Sequence, residues 1–141
     1  MKKALVLILA ALVIPSAALA AKPAHPSKPV PQVTYVLKGT LSNYGPYDSV
    51  TPANGSITIV VKHANKLGKP IKALKGQTLT FPVDANTKIS FADGVTAIAN
   101  GDRGVVKVRA AKRIAAADLV ATLQLSAAKQ IIGKGAPKPT H

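Results

Sequence analysis

Two alternating segments and the loop between them constrain the fold most. Residues 56–63 read Ser-Ile-Thr-Ile-Val-Val-Lys-His, which puts Ile57, Ile59 and Val61 on one face of an extended chain. Residues 76–84 return with Leu79, Phe81 and Val83 on one face and Thr78, Thr80 and Pro82 on the other. A period of two does not collect on one side of a helix, so both segments are expected as strands with one face in a core. Pro82 has no N–H to give to a ladder, which places its strand at a sheet edge or a bulge. The loop between the strands carries Lys66, Lys69, Lys72 and Lys75, one at every third position.

The rest of the chain extends the β pattern. Residues 33–41 form a first strand with Val33, Tyr35, Leu37 and Leu41 on one face, and Gly39 in that row marks a bulge or bend. A loop over residues 42–55 follows, with turn signals at Gly45-Pro46 and Asn54-Gly55. Residues 87–91 read as a short extra strand, Asp93-Gly94 as a turn and residues 95–100 as one helical turn closed by Asn100-Gly101. Residues 105–111 are a strand with Val106 and Val108 opposed to Lys107 and Arg109. Residues 114–132 fit two readings: alanine and a capping Asp118 favour helix, whereas Leu119, Ala121, Leu123 and Leu125 alternate. We read a closing strand over residues 119–127. The sum is an all-β domain, a small closed barrel of five or six strands, with a β-sandwich of similar size as the alternative.

The chain starts with an export pattern. Lys2 and Lys3 precede an apolar run over residues 4–14, Pro15 ends it, and Ala18-Leu19-Ala20 suits cleavage by signal peptidase. That run is shorter than the roughly 20 apolar residues a membrane-spanning helix needs, and no later stretch reaches that length. The expected organisation is therefore a cleaved signal peptide at 1–20, a Pro/Lys-rich linker at 21–31, the barrel at 32–132 and a disordered basic tail at 133–141. Localisation is expected to be secreted, periplasmic or at the cell envelope, with no transmembrane segment after cleavage. The signal has a bacterial style.

Chemistry is excluded more readily than assigned. There is no cysteine, so disulfides, thiol catalysis and cysteine zinc sites are out. His63 stands alone in the folded region, with nothing resembling a nucleophile elbow around it. The aspartates sit in turn or cap contexts, where their carboxylates bond the backbone. Asp84-Ala-Asn86-Thr-Lys88 opens like a calcium loop, but Lys88 stands where an oxygen ligand belongs. No catalytic, cofactor or metal residue is assigned, and a non-enzymatic protein is expected.

Charge points to a partner class. Against 19 lysines and arginines stand only five acidic residues, a formal net charge of +14. Lysine predominates, and its point charge suits diffuse attraction to polyanions rather than bidentate recognition. At three residues per turn, the loop lysines of an extended or polyproline-like backbone project along one side. Candidate polyanion-binding residues are Lys62, Lys66, Lys69, Lys72 and Lys75, with Tyr44 and Tyr47 as rings able to stack on a base or sugar. The expected partner is an anionic cell-envelope polymer, with nucleic acid as the alternative.

Five strand-and-turn elements carry a family likeness: Lys38-Gly39-Thr40-Leu41, Gly55-Ser56-Ile57-Thr58-Ile59, Gly76-Gln77-Thr78-Leu79-Thr80-Phe81-Pro82-Val83, Thr87-Lys88-Ile89 and Gly101-Asp102-Arg103-Gly104-Val105. They resemble an uncharacterised domain of bacterial secreted and cell-envelope proteins with an OB-like small barrel. The resemblance covers most of residues 37–108 and implies that fold, with no catalytic residues to carry over. The alanine-rich segment after Arg113 departs from the short closing strand usual there. The expected protein is an exported, non-enzymatic binding or structural module. A secreted OB-type single-stranded nucleic-acid binder and a hydrolase with an unrecognised site are its rivals.

Overall fold

The computed structural model describes residues 28–50 and 53–139. The expected signal peptide at 1–20 lies outside the described residues, as do residues 21–27 of the expected linker and 140–141 of the expected tail. The fold is mostly β. Its strands are β1 (Gln32–Gly45), β2 (Gly55–Ala64), β3 (Thr78–Val83), β4 (Lys88–Phe91), β5 (Arg103–Ala111) and β6 (Ala128–Gly133). One short helix, α1 (Leu119–Gln124), precedes β6. Among the described residues no helix is long and apolar enough to cross a membrane.

The strands form a single sheet in the order β3-β2-β1-β5-β6-β4. Neighbours are antiparallel except β4 and β6, which run parallel. β3 and β4 are the two edges, so the sheet is not closed. These edge strands are consecutive in the chain, joined by a turn in which the Asn86 N–H donates to Asp84 Oδ1 at 2.9 Å. The Thr87 hydroxyl in the same turn donates to the Ala128 carbonyl at 2.6 Å and ties it to the start of β6.

Alternation decides which side is core. Tyr35, Leu37 and Leu41 of β1, Ile57, Ile59 and Val61 of β2, and Leu79, Phe81 and Val83 of β3 are all buried in one cluster. Val106, Val108 and Ala110 of β5 join it. Gly39 lies in the same inward row, where a Cβ would collide with the Val60 carbonyl. The register shifts between Lys38 and Gly39, so glycine allows β1 and β2 to close at a bulge. β3 is an edge strand, as Pro82 requires. The Thr80 N–H, two residues earlier and on the same side as Pro82, already points out of the ladder and donates to Gln124 Oε1 at 3.0 Å.

Four expectations need correction. The expected closed barrel is, in its backbone ladders, an open sheet. The expected closing strand over residues 119–127 is the helix α1, because Leu119 and Leu123, four apart, share a helical face that fills the core. Leu125, which completed the alternating pattern, is 85% exposed. The closing strand is β6, and its ladder passes residue 132: Lys134 N–H donates to the Arg103 carbonyl and Arg103 N–H to the Gly135 carbonyl, at 2.8 and 2.9 Å. Residues 95–100 are not helical. The Ala99 N–H donates instead to the buried Asp102 carboxylate at 2.8 Å, and Leu41 exchanges backbone bonds with Gly101 and Asp102. Finally, β1 runs on through residues 42–45, which were expected to be loop. Asn43 makes that continuation, at φ 49, a conformation asparagine tolerates, while its N–H donates to Asn100 Oδ1 at 2.8 Å.

Candidate functional site

The lysine loop leaves β2 through Asn65, whose side chain completes the edge of β1. Its Oδ1 accepts from the Val36 N–H at 2.9 Å, its Nδ2 donates to the Thr34 carbonyl at 2.8 Å, and its own N–H donates to the Val36 carbonyl at 3.1 Å. Gly68, at φ 102, then turns the chain into a 3-10 helix over Lys69–Leu74 that starts with Pro70 near its N-terminus. Leu74 is fully buried, and Leu67 and Ile71 pack against the core. Gly76, at φ 84, closes the loop, with its N–H on the Val61 carbonyl at 2.7 Å. One buried leucine, Leu74, the half-buried Leu67 and Ile71, and hydrogen bonds at both ends hold the loop in one place.

The backbone is thus not polyproline-like over Lys69–Leu74, yet its lysines still repeat on one side. A 3-10 helix also repeats every three residues, so side chains at i and i+3 eclipse. Its rise of about 2 Å per residue sets Lys69 and Lys72 about 6 Å apart along the axis, closer than the roughly 9 Å of polyproline. Charge density rises accordingly.

All five predicted lysines meet. Lys62, Lys66, Lys69, Lys72 and Lys75 are exposed and line one open cavity of 470 Å3, together with His63. Gly68, Ala64 and Ile71 provide its backbone and apolar surface, and among the described residues that line it there is no acidic residue and no ring besides the His63 imidazole. Long ammonium side chains over an apolar floor keep their heads in water and their stems packed. Such a basin attracts anions over a Debye length and holds them without fixed geometry.

Tyr44 and Tyr47 do not join this group. Both are half-buried and packed against the core, Tyr44 near the end of β1 where Gly45 pairs with Ser56. From Ser56 to His63 the strand runs about 23 Å, so the tyrosines and the lysines occupy opposite ends of the β1–β2 hairpin. Tyr35 is core: its hydroxyl donates to the Ala111 carbonyl at 2.9 Å, and burial pushes its pKa above the ordinary value.

The sequence pattern places Lys107 and Arg109 opposite the core row of their strand, but neither is among the candidate site residues. Lys38, Lys107 and Arg109 hold outward positions on β1 and β5, opposite the buried rows of the same strands. The alternation that located the core already carried that signal. Set against family models, curated proteins and solved structures, the chain matches none of them.

Proposed function

We propose that this chain is an exported, non-enzymatic binding module of the bacterial periplasm or cell envelope that holds an anionic polymer in its lysine cavity. One observation carries the reading: five lysines and His63 converge on one basin with no carboxylate among its described lining. Leu74, buried in the core, and the turns at Gly68 and Gly76 hold these charges together. The fold in this reading is an OB-like arrangement left open between β3 and β4, akin to the small barrel of the secreted and envelope domain that the chain resembles. The turn over residues 84–87 carries the chain from one sheet edge to the other.

A polymer without bases fits better than single-stranded nucleic acid. Base stacking on a strand needs several exposed rings beside the cations, and the cavity has only the His63 imidazole, while Tyr44 and Tyr47 sit at the far end. A hydrolytic site on His63 lacks a carboxylate neighbour in the cavity lining. The test is retention on an immobilised envelope polyanion and on DNA of equal charge density. The expected result is stronger retention on the envelope polymer, lost when Lys66, Lys69, Lys72 and Lys75 are changed to glutamine. Equal retention on both, released by about 0.5 M salt where the Debye length is about 4 Å, reduces the effect to non-specific attraction and contradicts the proposal.

A further inference from the structure

The strands carry no carboxylate at all: every aspartate lies outside the six strands, and the sequence has no glutamate. Cations, in contrast, crowd the outer face of one half of the sheet. Lys107 of β5 stands opposite Gln130 of β6, which stands opposite Lys88 of β4, so the three form one row across neighbouring strands. With strands about 4.8 Å apart, the two lysines lie about 10 Å from each other. Arg109 follows Lys107 on the same face, opposite Thr34. The register between β5 and β6 slips between Lys107 and Val108 and leaves Lys129 as the inserted residue. Lys88, Lys107, Arg109 and Lys129 together border a groove of 400 Å3 whose described lining contains neither an acidic nor an aromatic residue.

Both slips beside lysines in the antiparallel ladders have the same result. Lys129 is the extra residue of β6, and Lys62 is the extra residue of β2 where Lys38 pairs with His63 and Gly39 with Val61. A bulge re-aims the side chain it inserts. Lys62 and His63 line the lysine cavity and also a second, smaller one of 210 Å3, shared with Lys38, Arg103 and Lys134. That saddle ends at Val105, whose next outward neighbour on β5 is Lys107. The loop and the saddle thus share Lys62 and His63, and the saddle adjoins the sheet face along β5, with the neutral, buried Val105 between their cations.

We propose that the outer face of β5, β6 and β4 is a second binding surface for the same polymer, and that one long anionic chain spans it and the lysine cavity. This rests on the cavity reading and extends it. The ligand class is a flexible, base-free polyphosphodiester: lysine meets phosphate as a point charge, and no ring is among the described residues that border the groove to stack on bases. Two surfaces joined on one polymer raise affinity through effective concentration, so binding depends on chain length.

The experiment measures the affinity of the purified protein for inorganic polyphosphate of about four and about forty phosphates across a salt series. For the wild type, affinity rises more than tenfold with length. K88Q/K107Q/R109Q/K129Q flattens that rise and lowers the long-chain salt slope by about three, while K88R/K107R/K129R keeps both. A glutamine variant with wild-type slope and length dependence overturns the second surface and leaves the cavity reading standing. An unchanged K66Q/K69Q/K72Q/K75Q variant overturns the cavity reading instead. Shielding of Lys88, Lys107 and Lys129 from an amine-acylating reagent by the long chain demonstrates the same contact on wild-type protein, whatever the variants do to folding; unaltered labelling contradicts the proposal. Single-stranded DNA of equal phosphate number binding tenfold tighter than polyphosphate also overturns it, in favour of a nucleic-acid surface.

Discussion

The two ends of the β1–β2 hairpin solve the same problem with opposite chemistry. At one end, β2 leads into a loop whose leucines go into the core and whose lysines stay outside. At the other, Tyr44 and Tyr47 lay their rings against the core, and Asp48 closes a small turn by accepting the Val50 N–H at 2.8 Å. One end displays charge on an apolar support; the other spends its aromatic surface on its own packing. The contrast teaches that cations and rings in one sequence need not form one site. Here the charged end has the features of a binding surface, and the aromatic end has those of scaffold.

The contrast breaks first if the charged loop does not depend on its buried anchor. Leu74→Ala removes a fully buried side chain beneath the lysines and should cost about 2–5 kcal/mol in urea unfolding. A cost below about 1 kcal/mol would mean that the loop is held by something else. Asn65→Ala removes the side-chain bonds to Thr34 and Val36 at the loop entrance. It should cost about 1–3 kcal/mol and speed amide exchange in Val36. Tyr35→Phe, which loses only the bond to the Ala111 carbonyl, should cost about 0.5–1.5 kcal/mol. The raised Tyr35 pKa adds a pH dependence with a definite sign. Its neutral form is favoured by the fold, so that part of the stability is complete below the ordinary tyrosine pKa near 10 and is lost as pH rises above it. Tyr35→Phe should flatten this loss in thermal melts taken between about pH 9 and 11. Smallest of all is the effect expected of Tyr44→Leu with Tyr47→Leu on polyanion affinity, less than twofold, because neither ring is near the cavity.

Local patterns were readable where one interaction dominates. Ile57, Ile59 and Val61, or Leu79, Phe81 and Val83, alternate because one side of each strand is core, and no tertiary contact overrides that. Gly39 was readable as a bulge, and the lysine spacing as one-sided, since both 3-10 and polyproline backbones repeat in threes. The failures share a cause as well. Residues 119–125 support two periods at once, and only the space beside Leu74 selects the helix by burying Leu119 and Leu123 while leaving Leu125 outside. Residues 95–100 lost their helical turn to a single buried carboxylate, that of Asp102. β3 and β4 follow one another across a short turn, yet β4 takes β6 as its partner, a long-range pairing that no local pattern encodes. The basic sheet face was overlooked because its members lie far apart in sequence, and strand register alone brings Lys88, Lys107 and Lys129 together.

The central claim is that the charged end binds and the aromatic end does not. The salt dependence of binding to one envelope-derived polyanion tests this most directly, measured for wild type, K66Q/K69Q/K72Q/K75Q and Y44L/Y47L, which removes the rings and keeps apolar bulk. The account predicts a log–log slope lower by about three for the lysine variant, at unchanged thermal stability, and a wild-type slope and affinity for the tyrosine variant. A wild-type slope in the lysine variant, or an affinity loss of tenfold or more in the tyrosine variant, would contradict it.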